Sequence, residues 1–220
     1  MDQIAFLIPS TSKNRKWTDI KESYLYITLS ILNKNYKDIT VYIGYDTDDI
    51  FYINHISELN EYFDLNIKYI SSGQFEPGNV VGWWNHLSQL AINDGFEYLF
   101  IIGDDINYPD NNIWLRNLIR GLRKNDNIGY SAGDSGNPNL PMTQFLIHKK
   151  HYDMFGYVFN PLLKNWFCDN YLNELYPKRF INYYEDIKLH NCGGSPRYIP
   201  EDHKRLYKML VKRDRKKLKL

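Results

Sequence analysis

The sequence predicts a single α/β domain with a mostly parallel central sheet flanked by helices. Three observations carry that expectation. Short apolar runs alternate with helical patterns through the N-terminal half, the connections between them are short, and the most continuous apolar run ends in two adjacent aspartates. A length of 220 residues suits one such domain and would crowd two.

The elements follow in order. Residues 4–8 are an apolar run stopped by Pro9, which reads as a buried strand. A polar loop over residues 10–17 leads to a helical pattern over 18–33, where Ile20, Tyr24, Ile27 and Ile31 recur at steps of three and four. Residues 40–45 form a second strand ending in Asp46. A helix is expected over 50–62 and a third strand over 66–70. A loop rich in Gly and Ser, with Pro77, precedes a helix over 80–94 that Gly95 closes. Residues 96–102 are the longest apolar stretch of their kind and predict a central strand buried on both faces.

Beyond Gly103 the pattern is mixed. Residues 112–124 read as a helix, 128–132 and 143–148 as strands, 149–155 and 168–175 as short helices, and 187–190 as a short strand. Residues 1–110 thus read as an alternating strand–helix half and 111–203 as a mixed second half of one domain. Residues 204–220 form a basic helix or linker, more readily solvated than packed. No internal repeat is visible.

Charge and composition exclude several classes. The chain has 27 basic and 26 acidic residues, and nine Lys or Arg with one Asp fall between Lys204 and Leu220. The first 203 residues therefore hold 18 basic against 25 acidic side chains, and a mildly acidic body argues against a nucleic-acid binder. Cys168 and Cys192 make no metal or disulfide framework, the acidic opening Met1-Asp2-Gln3 leads us to expect no signal peptide, and no run approaches the roughly 20 apolar residues of a membrane span. A soluble cytoplasmic protein is expected. Nineteen tyrosines within 16% aromatic residues suit the stacking of sugars and bases.

In an open α/β sheet, ligands bind beyond the carboxyl ends of the strands. The first strand delivers Pro9, Ser10, Thr11 and, further on, Arg15 to that edge; the second delivers Asp46, and the fourth Asp104 and Asp105. Two adjacent carboxylates repel unless a cation or a strong hydrogen-bond network compensates them, and Mg²⁺ or Mn²⁺ held with phosphate oxygens is the obvious cation. The alternative is that either Asp only makes the turn toward Pro109.

These segments carry a resemblance. Trp83-Trp84-Asn85-His86, followed by Tyr98-Leu99-Phe100-Ile101-Ile102-Gly103-Asp104-Asp105-Ile106, resembles the core of GT-A (Rossmann-like) glycosyltransferases. In that family an Asn-bearing helix precedes a strand ending in Asp-x-Asp. Ile8-Pro9-Ser10-Thr11-Ser12 with Arg15, and Gly44-Tyr45-Asp46, resemble its two base-binding loops. Within the family the chain more closely resembles the N-terminal glycosyltransferase domain of a large chlorella-virus capsid-glycosylating protein.

The resemblance implies a metal-dependent, Mn²⁺- or Mg²⁺-using transferase. It would move a hexose or deoxyhexose from a UDP-sugar to a glycan or glycoprotein hydroxyl in the cytoplasm, of a host cell if viral. Asp46 is then the reader of the uracil edge, Asn85 and Asp104 further nucleotide contacts, and Asp105 a metal ligand. A metal-binding His is implied near the domain's end, with His190 favoured over His203, and Arg197 and Lys204 are candidates to neutralise the diphosphate. The sequence departs from strict Asp-x-Asp, so Asp104 and Asp105 are free to exchange roles. A catalytically inactive nucleotide- or glycan-binding module of the same fold is therefore the competing reading.

An inverting transferase needs one base for the acceptor hydroxyl, and a carboxylate is the usual choice. Asp169, among Trp166, Phe167 and Tyr171, is the candidate; Asp134 is its rival, and a helix cap is the bland use of Asp169. Neither a Gly-x-Gly-x-x-Gly motif nor a Gly-Lys-Ser/Thr loop is present. Residues 10–17 contain no glycine, which argues against a sugar-nucleotide pyrophosphorylase. Further domains after the last residue are compatible with the sequence.

Overall fold

The computed structural model describes residues 3–36, 39–136, 141–194, 197–199 and 201–218. Strand β1 (Ile4–Pro9) is followed by a 3-10 turn (Ile20–Glu22) and helix α1 (Tyr24–Asn35). Next come β2 (Thr40–Asp46), α2 (Ile50–His55), α3 (Leu59–Tyr62), β3 (Asn66–Ser72), α4 (Val80–Asn93), β4 (Tyr98–Ile101) and β5 (Ile106–Asn107). The second half holds α5 (Ile113–Lys124), β6 (Tyr130–Asp134), β7 (Phe145–His148), α6 (Lys149–Phe155) and α7 (Cys168–Leu175). It ends with β8 (Ile181–Lys188), β9 (His190–Asn191) and α8 (Lys204–Asp214).

Among the described residues, seven strands form one sheet in the order β3-β2-β1-β4-β7-β6-β8. The pairs β1–β2, β2–β3, β1–β4 and β6–β8 are parallel, while β7 runs antiparallel between β4 and β6. A separate pair, β5 with β9, sets Ile106 opposite Asn191 and Asn107 opposite His190. The expected mostly parallel sheet with a mixed second half is therefore the observed architecture.

Alternation along β1 explains the two core layers. Ile4, Phe6 and Ile8 face one layer with α1 and α5, whereas Ala5 and Leu7 face the other with α4, α7 and α8. β4 divides in the same way, and all four of its residues are buried. A strand covered on both sides has no polar face, which is why its sequence reads as an unbroken apolar run.

Four expectations need correction. The first helix starts at Tyr24 because the Ser23 hydroxyl accepts from the Tyr26 amide at 3.1 Å, capping it there. The helix expected over 50–62 is interrupted by a 3-10 turn (Ile56–Glu58). The short strand expected over 187–190 is divided between the end of β8 and the start of β9; β8 lies at the sheet's edge with most side chains partly or fully exposed, so its first six residues lack the apolar signal. The basic tail contains a packed helix: α8 buries Tyr207, Leu210, Val211 and Asp214 against the second core layer and shows its Lys and Arg to solvent. No helix among the described residues is long and apolar enough to cross a membrane.

Candidate active site

A cleft of about 590 Å³ opens at the carboxyl edge of β1, β2 and β4. Pro9, Ser10, Thr11, Asp46, Asp104, Asp105 and Asp169 all line it, so one concavity gathers seven residues that the sequence offered separately. Pro141, Thr143, Gln144 and Trp166 line its other side.

The turn after β4 is pinned from below. Thr28 of α1 donates its hydroxyl to the Asp104 carbonyl at 2.8 Å and accepts from the Ile106 amide at 3.1 Å. The Gly103 amide donates to the Gln144 side-chain oxygen at 3.1 Å. With the backbone held so, Asp104 is buried and Asp105 borders the cleft.

The two carboxylates have different partners. Asp104 accepts from the Ser10 hydroxyl and a two-pronged contact from the Arg197 guanidinium. Ser10 lies 2.7 Å from the Tyr52 hydroxyl as well. Asp105 accepts from the Asn191 amide at 3.1 Å and lies 3.4 Å from Arg197. Burial and the charge of Asp104 push the Asp105 carboxyl up to about 6, against the pull of Arg197 and the Asn191 hydrogen bond. Gly193 is required here: a Cβ at that position would overlap the Asp105 carboxylate at 1.7 Å.

At the β2 edge, the Trp83 indole N–H donates to Asp46 at 3.0 Å. Trp83 lies flat on the strand because Gly44 leaves room; a Cβ there would meet the indole ring at 2.4 Å. Burial raises the Asp46 carboxyl, opposed by the indole hydrogen bond and the Lys13 charge. Sequence reasoning missed Asp49, which is buried and organises the first loop. It accepts from the Ser12 amide at 2.7 Å, the Ser12 hydroxyl at 2.6 Å and the Thr11 hydroxyl at 3.2 Å, and it caps α2. Its place directly before Ile50 was the available signal.

Also lining the cleft, Asp169 sits in the first turn of α7, half-buried. The cap position belongs to Phe167, at φ +69°, which makes no side-chain capping bond and stacks on Tyr207 at 5.5 Å. Asp169 accepts from the adjacent Asn170 amide at 3.0 Å, and burial raises its carboxyl above the usual range despite that bond. The rival Asp134 lies outside the cleft lining and is ion-paired to Lys188 at 2.6 Å, whose hydrogen bond lowers its carboxyl.

Three expected site residues stand outside the cleft lining, each for a visible reason. Asn85 accepts from the Val158 and Phe159 amides at 2.9 and 3.0 Å and donates to the Phe159 carbonyl at 2.8 Å. It fastens the segment at Val158 and Phe159 to α4 through both its side-chain oxygen and its side-chain nitrogen. Arg15 donates to the Gly193 carbonyl at 3.0 Å and lies over the Tyr24 ring, so it supports the loop beside Asp105. His190 points its ring at Gly136, where a Cβ would meet it at 2.9 Å. Of the other candidates, His203 pairs with Glu201 at 3.0 Å, and Lys204 opens α8 away from the cleft lining.

Among the described residues no three His, Cys, Asp or Glu side chains converge as a metal-ligand group. Of the adjacent pair, Asp105 is the carboxylate without a bidentate partner. The residues fit a hard cation that takes most of its oxygens from a bound diphosphate, the usual manner of Mg²⁺. They do not supply a protein cage, and His190 is not aimed to complete one.

No sequence-family profile matches the chain, and no curated protein matches it in sequence. Solved structures do share its fold. S. aureus TarS 1–349 in complex with UDP-GlcNAc superposes with a TM-score of 0.61 at 15% identity, covering 96% of this chain and 66% of that one. The same protein in complex with UDP gives 0.60 at 14%, covering 96% and 65%. A 4-diphosphocytidyl-2C-methyl-D-erythritol synthase from Anaerococcus prevotii gives 0.53 at 14%, covering 96% of both chains. The chain spans about two thirds of the TarS fragment's length. The fold is thus the one shared by these glycosyl- and nucleotidyltransferases.

Proposed function

We propose that this chain is a UDP-sugar-dependent, inverting glycosyltransferase acting on a sugar hydroxyl of a glycan or glycoprotein. The observation that carries the reading is the meeting of two chemistries in one cleft. Asp46, Asp104 and Asp105 line it from the ends of β2 and β4, and Asp169, with a raised carboxyl, lines it from α7. The TarS structures, solved with UDP and UDP-GlcNAc, support a donor of that class on this fold.

In this account the uracil edge meets Asp46, with Trp83 orienting the carboxylate, while Pro9, Ser10 and Thr11 form the floor beneath the nucleoside. Asp105 would hold Mn²⁺ or Mg²⁺, which would supply Lewis-acid stabilisation of the diphosphate leaving group. Asp169 takes the proton from the acceptor hydroxyl as its oxygen bonds to the anomeric carbon. The sugar–phosphate bond breaks on the opposite side, UDP leaves with that electron pair, and the anomeric configuration inverts. Trp166, 48% exposed at the cleft rim, offers its face to the acceptor sugar.

The nucleotidyltransferase likeness favours a second reading, transfer of a nucleotidyl group from a triphosphate. The absence of glycine from residues 10–17 weighs against it, because backbone amides must approach a triphosphate closely. The resemblance to a chlorella-virus domain makes a capsid glycoprotein the acceptor to try first. Calorimetry tests the donor class: UDP binding more tightly than GDP supports the assignment, and the reverse order removes it.

A further inference from the structure

Arg197 sits where a charge-balancing cation is needed. Its guanidinium grips Asp104 with both terminal nitrogens, lies 3.4 Å from Asp105, and donates to the Thr11 carbonyl at 3.0 Å. The Arg197 carbonyl accepts from Asn14 at 3.1 Å, and the next side chain, Tyr198, packs on Gly78, where a Cβ would meet it at 2.9 Å. Arg197 is nearly buried, so water screens its charge little. Asp104, Asp105, Ser10, Thr11 and Tyr198 line the same cleft as Arg197 itself.

A divalent cation on Asp105 would stand within a few ångströms of this guanidinium. Two poorly screened positive groups on one carboxylate pair oppose each other, so the guanidinium, which already offsets one of the two negative charges, lowers the pair's affinity for a divalent cation. A diphosphate changes the balance. It brings negative charge to the cation and offers planar oxygen pairs to which a guanidinium binds as well as to carboxylate.

We propose that Arg197 is a resident counter-cation of the Asp104–Asp105 pair, and that a diphosphate-bound divalent cation displaces it toward the phosphates. The nucleotide-free protein then binds metal weakly, and nucleotide and metal load together. The site is kept from holding an uncompensated pair of buried carboxylates between turnovers. This inference rests on the proposed function for its nucleotide half, whereas its metal half concerns the nucleotide-free chain alone.

The test is Mn²⁺ titration of the nucleotide-free protein, following free Mn²⁺ by electron paramagnetic resonance. Arg197→Gln removes the charge and keeps a polar side chain, and its Mn²⁺ affinity is expected to rise at least about tenfold over wild type. Arg197→Lys, which keeps the charge, is expected to stay within about threefold of wild type. Circular dichroism shows which variants are folded. Should Arg197→Gln fail to fold, the wild-type Arg197 side-chain NMR resonance decides the matter: it is expected to shift when Mg²⁺ and UDP are added together. Unchanged or weaker Mn²⁺ binding in a folded Arg197→Gln overturns the proposal, as does an unmoved Arg197 resonance. Failure of UDP to bind wild type would instead count against the donor assignment and leave the Mn²⁺ comparison decisive for Arg197.

Discussion

The indole nitrogen of Trp83 and the carboxylate of Asp46 are hydrogen-bonded at 3.0 Å across α4 and the end of β2. The bond exists because Gly44 lets the indole lie on the strand, and it fixes where the carboxylate points at the cleft edge. Asp46→Ala is expected to weaken UDP binding by about 10- to 100-fold. That corresponds to the roughly 1.5–3 kcal/mol of a hydrogen bond to a charged group. Trp83→Phe should show a smaller loss of the same sign, because the carboxylate remains but is no longer held. Calorimetry with UDP on both variants checks the pair.

Asp169→Asn keeps shape and hydrogen bonding but cannot accept a proton. Turnover is expected to fall by about 10²–10⁴, a barrier increase of roughly 3–5 kcal/mol, with UDP affinity unchanged. Because Phe167 holds the cap position, the substitution removes no helix cap, and thermal stability should stay near wild type. Steady-state kinetics beside a melting curve separates these outcomes.

Asn85 tests scaffold against ligand contact. Asn85→Ala leaves the Val158 and Phe159 amides without their partner, and stability is expected to drop by about 1–3 kcal/mol. The folded variant should bind UDP as wild type does, since the side chain is not part of the cleft lining. A denaturation midpoint and a UDP titration on one preparation check both halves.

Asp214 ties the basic helix to the domain. It is fully buried and accepts from Tyr157, Tyr171 and Asn160 at 2.8–2.9 Å and from Arg213 at 2.8 Å. Burial alone would raise its carboxyl, but the hydrogen bonds from Arg213, Tyr157, Asn160 and Tyr171 outweigh it and hold the group at about 2. A carboxyl lowered by folding stabilises the native state above its unfolded value near 4. That contribution is lost as pH falls from about 4 toward 2. Asp214→Ala should cost about 3–5 kcal/mol at neutral pH and flatten this acid dependence. Chemical denaturation at pH 7 and pH 3 measures both.

Much of the fold was legible because one chemistry governed each segment. β1 and β4 are buried on both faces and read as apolar runs, and their ends delivered Ser10, Asp104 and Asp105. β8 was not legible, since an edge strand with half its residues exposed has no apolar signature. The packed face of α8 was present as Tyr207, Leu210, Val211 and Asp214 at helical spacing, yet nine basic residues in the segment masked it. Partnerships across long sequence separation were beyond reach. That Asn85 would serve residues 158 and 159, or that Arg197 would seat on Asp104, depends on how the halves pack.

The most direct test of the account is turnover across a panel of UDP-, GDP- and dTDP-sugars with Mn²⁺, following nucleoside diphosphate release by wild type and Asp169→Asn. The account predicts that UDP-sugars alone are cleaved at a substantial rate by wild type, that a sugar acceptor accelerates release, and that the acceleration disappears in Asp169→Asn. Absence of UDP release with every UDP-sugar, or formation of a nucleotide-sugar and pyrophosphate from a nucleoside triphosphate and a sugar phosphate, would contradict it.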